Sequence, residues 1–231
     1  MPSYSLTMKK LFRKLYLNSI RVFLVLYVSF FLFSVKENID INDWPSYNGG
    51  DNCNHYSALT QIKPENISTL KLAWIYNSGG ADTTRNTTQI QCNPLIIKGI
   101  LYGVSAGSQA FAIDAESGKE MWKTNLQDNT FSMTSRGVSY WTDGHDERIF
   151  FGYGAFLYAL NAKNGQPILS FGTKGKIHLI DGIKRPGADD YVVLNTPPAI
   201  YKNTLIVGMR VAESATALLG DIRVCFGIIF Y

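Results

Sequence analysis

From residue 90 onward the chain alternates short apolar runs with polar turns marked by glycine. Leu95-Ile-Ile-Lys-Gly-Ile-Leu-Tyr-Gly103 is two β-rich runs around Lys98-Gly99, which predicts a hairpin. The stretch Ala110 to Trp122 predicts a strand, a turn centred on Glu116-Ser-Gly118, and a second strand. Few segments carry the 3.6-residue period of a long amphipathic helix, so the predicted class is all-β.

The pattern repeats. Ala110-Phe-Ala-Ile-Asp-Ala-Glu-Ser-Gly-Lys119 returns as Leu157-Tyr-Ala-Leu-Asn-Ala-Lys-Asn-Gly-Gln166, an offset of 47 that maps Asp114 onto Asn161 and Gly118 onto Gly165. Trp74 precedes Trp122 by 48, and Pro94-Leu-Ile-Ile-Lys-Gly-Ile-Leu101 matches Pro198-Ala-Ile-Tyr-Lys-Asn-Thr-Leu205 at 104. A period of this size built from short strands and Gly turns suits a four-stranded propeller blade. In each unit the Asp or Asn accepts backbone hydrogen bonds at the turn, Gly supplies positive φ, and the outer strand ends in a large apolar residue such as Trp122. A blade cannot cover both of its faces alone, so neighbours must stack on it. Residues 90–231 hold two to three such blades, fewer than the four to eight of a closed ring.

The amino-terminal stretch differs in kind. Six of the 22 Lys and Arg lie in residues 1–36, which carry no acid, leaving 16 basic against 18 acidic groups and a net charge of −2 in the rest of the 231-residue chain. After the block Lys9 to Arg21, the uncharged run Val22 to Val35 predicts a hydrophobic helix acting as signal peptide or membrane anchor. Its fourteen residues rise about 21 Å, short of the roughly 30 Å hydrocarbon layer unless Leu15 to Ile20 extend it. A buried core helix would not begin with a one-sided cationic block, so everything after Lys36 is expected on the periplasmic side of the cell envelope. The predicted organisation is 1–36 leader, 37–89 opening segment with the outer strand of the ring-closing blade, and 90–231 incomplete propeller repeats. The body has no cluster of basic residues interleaved with aromatics, which argues against nucleic-acid binding. Cys53, Cys92 and Cys225 are odd in number, widely spaced and without CxxC, and read as small buried hydrophobes.

Several chemical motifs compete for attention. Gly103-Val-Ser-Ala-Gly107 matches a nucleophile elbow, but a strand rather than a helix follows it, so the match is a by-product of the Gly-rich repeat. His55, His145 and His178 share no ligand spacing. Asp143-Gly-His-Asp-Glu147 has the ligands to touch a cation, yet reads better as a solvated loop, and the adjacent Trp141 serves either a planar ligand or the core. Arg136, at the start of a β run among small residues, has the rigid donor fork to hold a carboxylate or quinone oxygen, with a surface salt bridge as the competing use.

The chain resembles the pyrroloquinoline-quinone-dependent dehydrogenases, and within them the membrane-bound quinoprotein glucose dehydrogenase group. The residues that carry the likeness are Asp43-Trp-Pro-Ser-Tyr-Asn-Gly-Gly-Asp51, His55 to Ile67, Leu70-Lys-Leu-Ala-Trp74, Phe111 to Trp122, Ser135-Arg-Gly-Val-Ser-Tyr140 and Gly220-Asp-Ile-Arg223. The resemblance implies one sector of an eight-bladed propeller that oxidises glucose, related sugars or alcohols, with the quinone and Ca²⁺ on the axis. A respiratory quinone or cytochrome would accept the electrons, and the membrane would be met through the amino-terminal helix. It further implies Gln91, Arg136, Thr196 and Glu213 as cofactor-binding residues, Gln91 standing where many relatives have Glu. The family's catalytic Asp and quinone-activating Lys belong to later blades, so no catalytic residue and no metal ligand is assigned, and the 231-residue chain is expected to be an inactive amino-terminal part. The adjacent Cys pair of the methanol-oxidising branch has no counterpart beside Met133-Thr-Ser135. The last seven residues, Cys225 to Tyr231, match nothing in the pattern, which suggests a shifted reading frame. A non-catalytic propeller scaffold shares the blade repeat but not Asp43-Trp-Pro-Ser-Tyr47 or Arg136.

Overall fold

The computed structural model describes residues 13, 15–20, 40, 42–50, 52–85, 88–126, 134–181 and 192–211, and the backbone of 226–229. The chain divides into two units, Met1–Ile39 and Asp40–Tyr231. In the first, residues 15–20 are helical, with the Ser19 hydroxyl turned back onto the Leu15 carbonyl at 2.9 Å. Among the described residues no helix is long and apolar enough to cross a membrane. The predicted hydrophobic run Val22 to Val35 lies outside the described residues.

The second unit is built from antiparallel sheets in which sequence neighbours are spatial neighbours. Strands β1 (Leu95–Ile97), β2 (Ile100–Val104), β3 (Ala110–Asp114) and β4 (Glu120–Lys123) form the first four-stranded sheet in that order. Strands β5 (Ser139–Thr142), β6 (Glu147–Tyr153), β7 (Phe156–Asn161) and β8 (Lys176–His178) form the second. Beyond them β9 (Val192–Val193) pairs with β12 (Arg210–Val211), while β10 (Ala199–Tyr201), β11 (Thr204–Val207) and β13 (Phe226–Ile229) make a third sheet. The Lys98-Gly99 hairpin is present, with both residues at positive φ and Ile97 opposite Ile100, and the aligned hairpin closes at Lys202-Asn203 with Tyr201 opposite Thr204.

Strand β6 explains why the run Ile149-Phe-Phe151 lacks the polar alternation of a half-exposed strand. Ile149 and Phe151 face a core shared with Leu95, Tyr102, Val104 and Trp122 of the first sheet. Phe150 faces the opposite way, into a second core with Phe171, Leu194, Leu205 and Val207. On β7, Tyr158 and Leu160 join the first core while Leu157 and Ala159 join the second. With both faces buried, successive residues are all apolar and each serves a different neighbour. This is the stacked arrangement of propeller blades.

Tryptophans fasten each repeat to the next. The Trp122 indole N–H donates to the Ala162 carbonyl at 2.8 Å, and its ring lies where a Cβ on Gly165 would come within 2.5 Å. One repeat earlier, Trp74 donates to the Ala115 carbonyl at 3.2 Å and occupies the same place over Gly118. Both glycines have positive φ, 71° and 69°, so turn geometry and close packing demand the same residue. The segment around Trp74 thus covers the outer face of the first sheet, helped by Tyr76, whose hydroxyl donates to Glu120 at 2.6 Å and whose ring meets Phe111. At the other edge of the first sheet, Trp44 exchanges backbone hydrogen bonds with Ile96 at 2.7 and 3.1 Å.

Candidate functional site

The segments that lead into the first strands of the three sheets run side by side. The Asn93 N–H donates to the Arg136 carbonyl at 3.0 Å, and the Arg136 N–H donates to the Asn195 carbonyl at 2.8 Å. Asn93 and Gly137 form a parallel bridge, and the buried Ser139 hydroxyl donates to the Pro198 carbonyl. Three stretches drawn from three different repeats therefore meet in one wall at the leading strands of the sheets.

Of the sequence-predicted residues, Arg136 lies in this wall, while Gln91 precedes Asn93 by two positions and Thr196 follows Asn195. Arg136 projects an exposed guanidinium between the buried Ser135 and Gly137, and among the described residues it makes no ion pair, so the competing salt-bridge role has no partner there. Gln91 is exposed, with its amide donating to Gln89 at 2.8 Å; among the described residues its other N–H and its carbonyl have no partner. Thr196 follows Asn195, and its hydroxyl donates to the Gly208 carbonyl at 3.2 Å. A hydroxyl has a single proton, so Thr196 must exchange that long bond before it donates to a carboxylate. Glu213 lies outside the described residues. Cys92, between Gln91 and Asn93, accepts from the Val104 N–H at 3.3 Å, and burial pushes its thiol up, which suits a packing role.

The other motifs resolve against chemistry. Ser105 of the elbow-like motif is buried, accepts from the Gln109 N–H at 3.1 Å, and leads through a turn straight into β3. In the Asp143 to Glu147 loop, the Asp143 carboxylate accepts from the Asp146 and His145 N–H groups at 2.7 and 2.8 Å, which hold its pKa below the usual carboxylate range. Asp146 pairs with Arg148 at 2.6 Å and Glu147 with Lys98 at 2.8 Å. These acids are spent on their own loop and on neighbouring cations, and among the described residues no group of three or more His, Cys, Asp or Glu stands ready for a metal. Trp141 has Arg148 over its ring at 5.3 Å and packs against the second core. Its role is structural.

Sequence reasoning did not single out Asn93 and Asn195, whose backbones hold Arg136 from either side. A faint signal was present: each stands just ahead of the proline that opens the repeat-aligned hairpins, Asn93-Pro94 and Asn195-Thr-Pro-Pro198.

Residues 44–224 match the family described as "PQQ: Glucose/ethanol/alcohol dehydrogenase, beta-propeller domain". The chain is 29% identical over 194 residues to the quinoprotein glucose dehydrogenase of Escherichia coli (strain K12), a match covering 74% of this chain and 24% of that protein. It is 32% identical over 179 residues to the dehydrogenase subunit of an alcohol dehydrogenase (quinone) of Gluconobacter oxydans (strain 621H), covering 74% and 22%. The crystal structure of the quinohemoprotein alcohol dehydrogenase from Comamonas testosteroni superposes with a TM-score of 0.56 at 24% identity, over 73% of this chain and 23% of that one, a likeness of fold. The chain spans about a quarter of the length of the curated relatives it matches.

Proposed function

Because the chain belongs to the PQQ-dependent glucose/ethanol/alcohol dehydrogenase family, we propose that it supplies one sector of a propeller that holds pyrroloquinoline quinone on its axis and oxidises glucose or a related sugar or alcohol. The observation that carries this reading is the wall of three leading segments, in which the exposed Arg136 makes no ion pair among the described residues. The fit is chemical. A planar fork of donors matches a carboxylate, and among the described residues this one has no ion pair to give up. Arg136 would hold a carboxylate of the cofactor, with the Gln91 amide and the Thr196 hydroxyl, once released from Gly208, as further donors. Bound, the cofactor supplies the electron-accepting carbonyls that protein side chains lack.

The described acids do not assemble a cation site, so the Ca²⁺ that accompanies the quinone would draw on Glu213 and residues beyond this sector. None of these residues is a general base for a substrate hydroxyl: a guanidinium has donors and no acceptor, and an amide and an aliphatic hydroxyl are not basic at neutral pH. The 231-residue chain by itself is therefore proposed to bind cofactor without turnover, and the reaction to require the remaining blades, with a respiratory quinone or cytochrome as acceptor. The cationic block Lys9 to Arg21 ahead of Val22 to Val35 supports a site of action on the periplasmic side of the cell envelope, anchored or secreted.

Titration of the chain with pyrroloquinoline quinone, followed by tryptophan fluorescence, tests the reading. Arg136→Ala removes a charge-assisted pair of about 1.5–3 kcal/mol, so the dissociation constant should rise roughly 10- to 100-fold. An unchanged affinity in Arg136→Ala would refute the role given to this arginine, and glucose-dependent dye reduction by the 231-residue chain would refute its proposed inactivity.

A further inference from the structure

We propose that Gly137 is a positioning residue for Arg136, setting where the guanidinium stands by allowing three sheets to close on one peptide; this rests on the cofactor reading above. Both polar groups of the Arg136 main chain are taken by neighbours, its N–H by the Asn195 carbonyl at 2.8 Å and its carbonyl by the Asn93 N–H at 3.0 Å. The root of the side chain is thus set by the first and third sheets together.

That bracket closes only because residue 137 lacks a side chain. A Cβ there would lie 2.8 Å from the Asn93 carbonyl oxygen and 3.5 Å from Pro197 Cγ, at a φ of +141°. The nearer obstacle is backbone already bridged to Gly137, and it cannot swing aside as a side-chain tip would. Alanine would meet a disfavoured φ and a clash in the same place, and the relief open to it is to part segment 137 from Asn93. Parting them breaks the Asn93 to Arg136 hydrogen bond and releases one of the two backbone anchors that set the root of the Arg136 side chain. The buried Ser135 hydroxyl, which accepts from the Gly137 N–H at 3.3 Å, braces the same turn from within. Gly165 provides the contrast: its Cβ would also clash, at 2.5 Å from Trp122, but at the contact between sheets rather than at the wall.

The test is a double-mutant cycle on the full chain, with pyrroloquinoline quinone as the probe, read by fluorescence titration at several salt concentrations below each variant's melting temperature. Gly137→Ala should weaken binding about tenfold and flatten its salt dependence, because the charged contact is what has been misplaced. In an Arg136→Ala background the same change should add no more than about twofold, since Gly137 acts through that arginine. Gly165→Ala should lower the melting temperature yet leave affinity within about twofold and the salt slope as in the parent. Hydrogen exchange at the Asn93 amide, whose bond to the Arg136 carbonyl is the one broken, should quicken at least about tenfold in Gly137→Ala and not in Gly165→Ala. If Gly137→Ala does not fold, Ser135→Ala offers the milder form of the same disturbance, with a loss of about two- to fivefold that also vanishes without Arg136. Parental affinity in Gly137→Ala, or a loss equally large without Arg136, overturns the positioning role while leaving the cofactor reading intact. If the unmodified chain binds no quinone, both fall together.

Discussion

Asp114 and Asn161 occupy the same turn one repeat apart, and comparing them separates charge from geometry. Asp114 Oδ1 accepts from the Ser117 hydroxyl at 2.6 Å and the Ser117 N–H at 2.7 Å, bonds that hold its carboxyl below the ordinary value of 3.8. Asn161 Oδ1 accepts from the Lys163 N–H at 2.9 Å and does not titrate. A depressed carboxylate stabilises the fold above its unfolded pKa, and that contribution is lost as pH falls through the folded value. Asp114→Asn should therefore keep the turn at neutral pH but flatten the fall in melting temperature below about pH 4. Thermal scans between acid and neutral pH check this; a variant as acid-sensitive as the parent would mean that Asp114 stays protonated or unbonded when folded. The role of this residue was legible in the sequence because it is local, and the acceptor and its donors lie within three positions.

Between elements, the tryptophan contact decides how strongly repeats adhere. Trp122 is nearly buried against the second sheet and also satisfies the Ala162 carbonyl. Trp122→Ala should cost about 3–5 kcal/mol, the range for emptying a large aromatic site. Trp122→Phe keeps most of the area but strands that carbonyl, for a loss of about 1–3 kcal/mol. Urea unfolding of both variants checks the order, and equal losses would show that the indole N–H contributes nothing. The repeat in the sequence revealed the tryptophan but not its partner, since a period alone does not tell whether a residue packs on its own repeat or on the next. Where the pattern drifts, the periodic reading also fails to locate the apolar anchor. Leu169, four residues after Gly165 as Trp122 is after Gly118, is 71% exposed, and Phe171 is the buried residue instead, at 4%. Proline at 167 and the irregular path to β8 shift the anchor by two positions.

For the molecule as a whole, charge and hydropathy divide the chain more sharply than its strands do. With every excess positive charge in residues 1–36 and a net of −2 beyond, a reporter that works only in the cytoplasm should be silent when fused after residue 60. Strong cytoplasmic signal would remove the case for export. The candidate site belongs to this scale as well. Gln91 and Thr196 were singled out through a family likeness, and Arg136 also by its place at the start of a β run, yet nothing in their local sequence says that segments separated by more than forty residues adjoin. What adjoins is the backbone of Asn93, Arg136 and Asn195, because the segments leading into the stacked sheets run side by side.

The bond from Trp122 to Ala162 also has a consequence in time. Its acceptor lies 40 residues downstream, so the indole has nowhere to dock until the following repeat has been made. At about 5–20 residues per second of synthesis, each finished sheet waits roughly 2–8 s with its apolar flank uncovered. A chain of such repeats is most vulnerable while it is being born, and the interval is set by the period of the repeat.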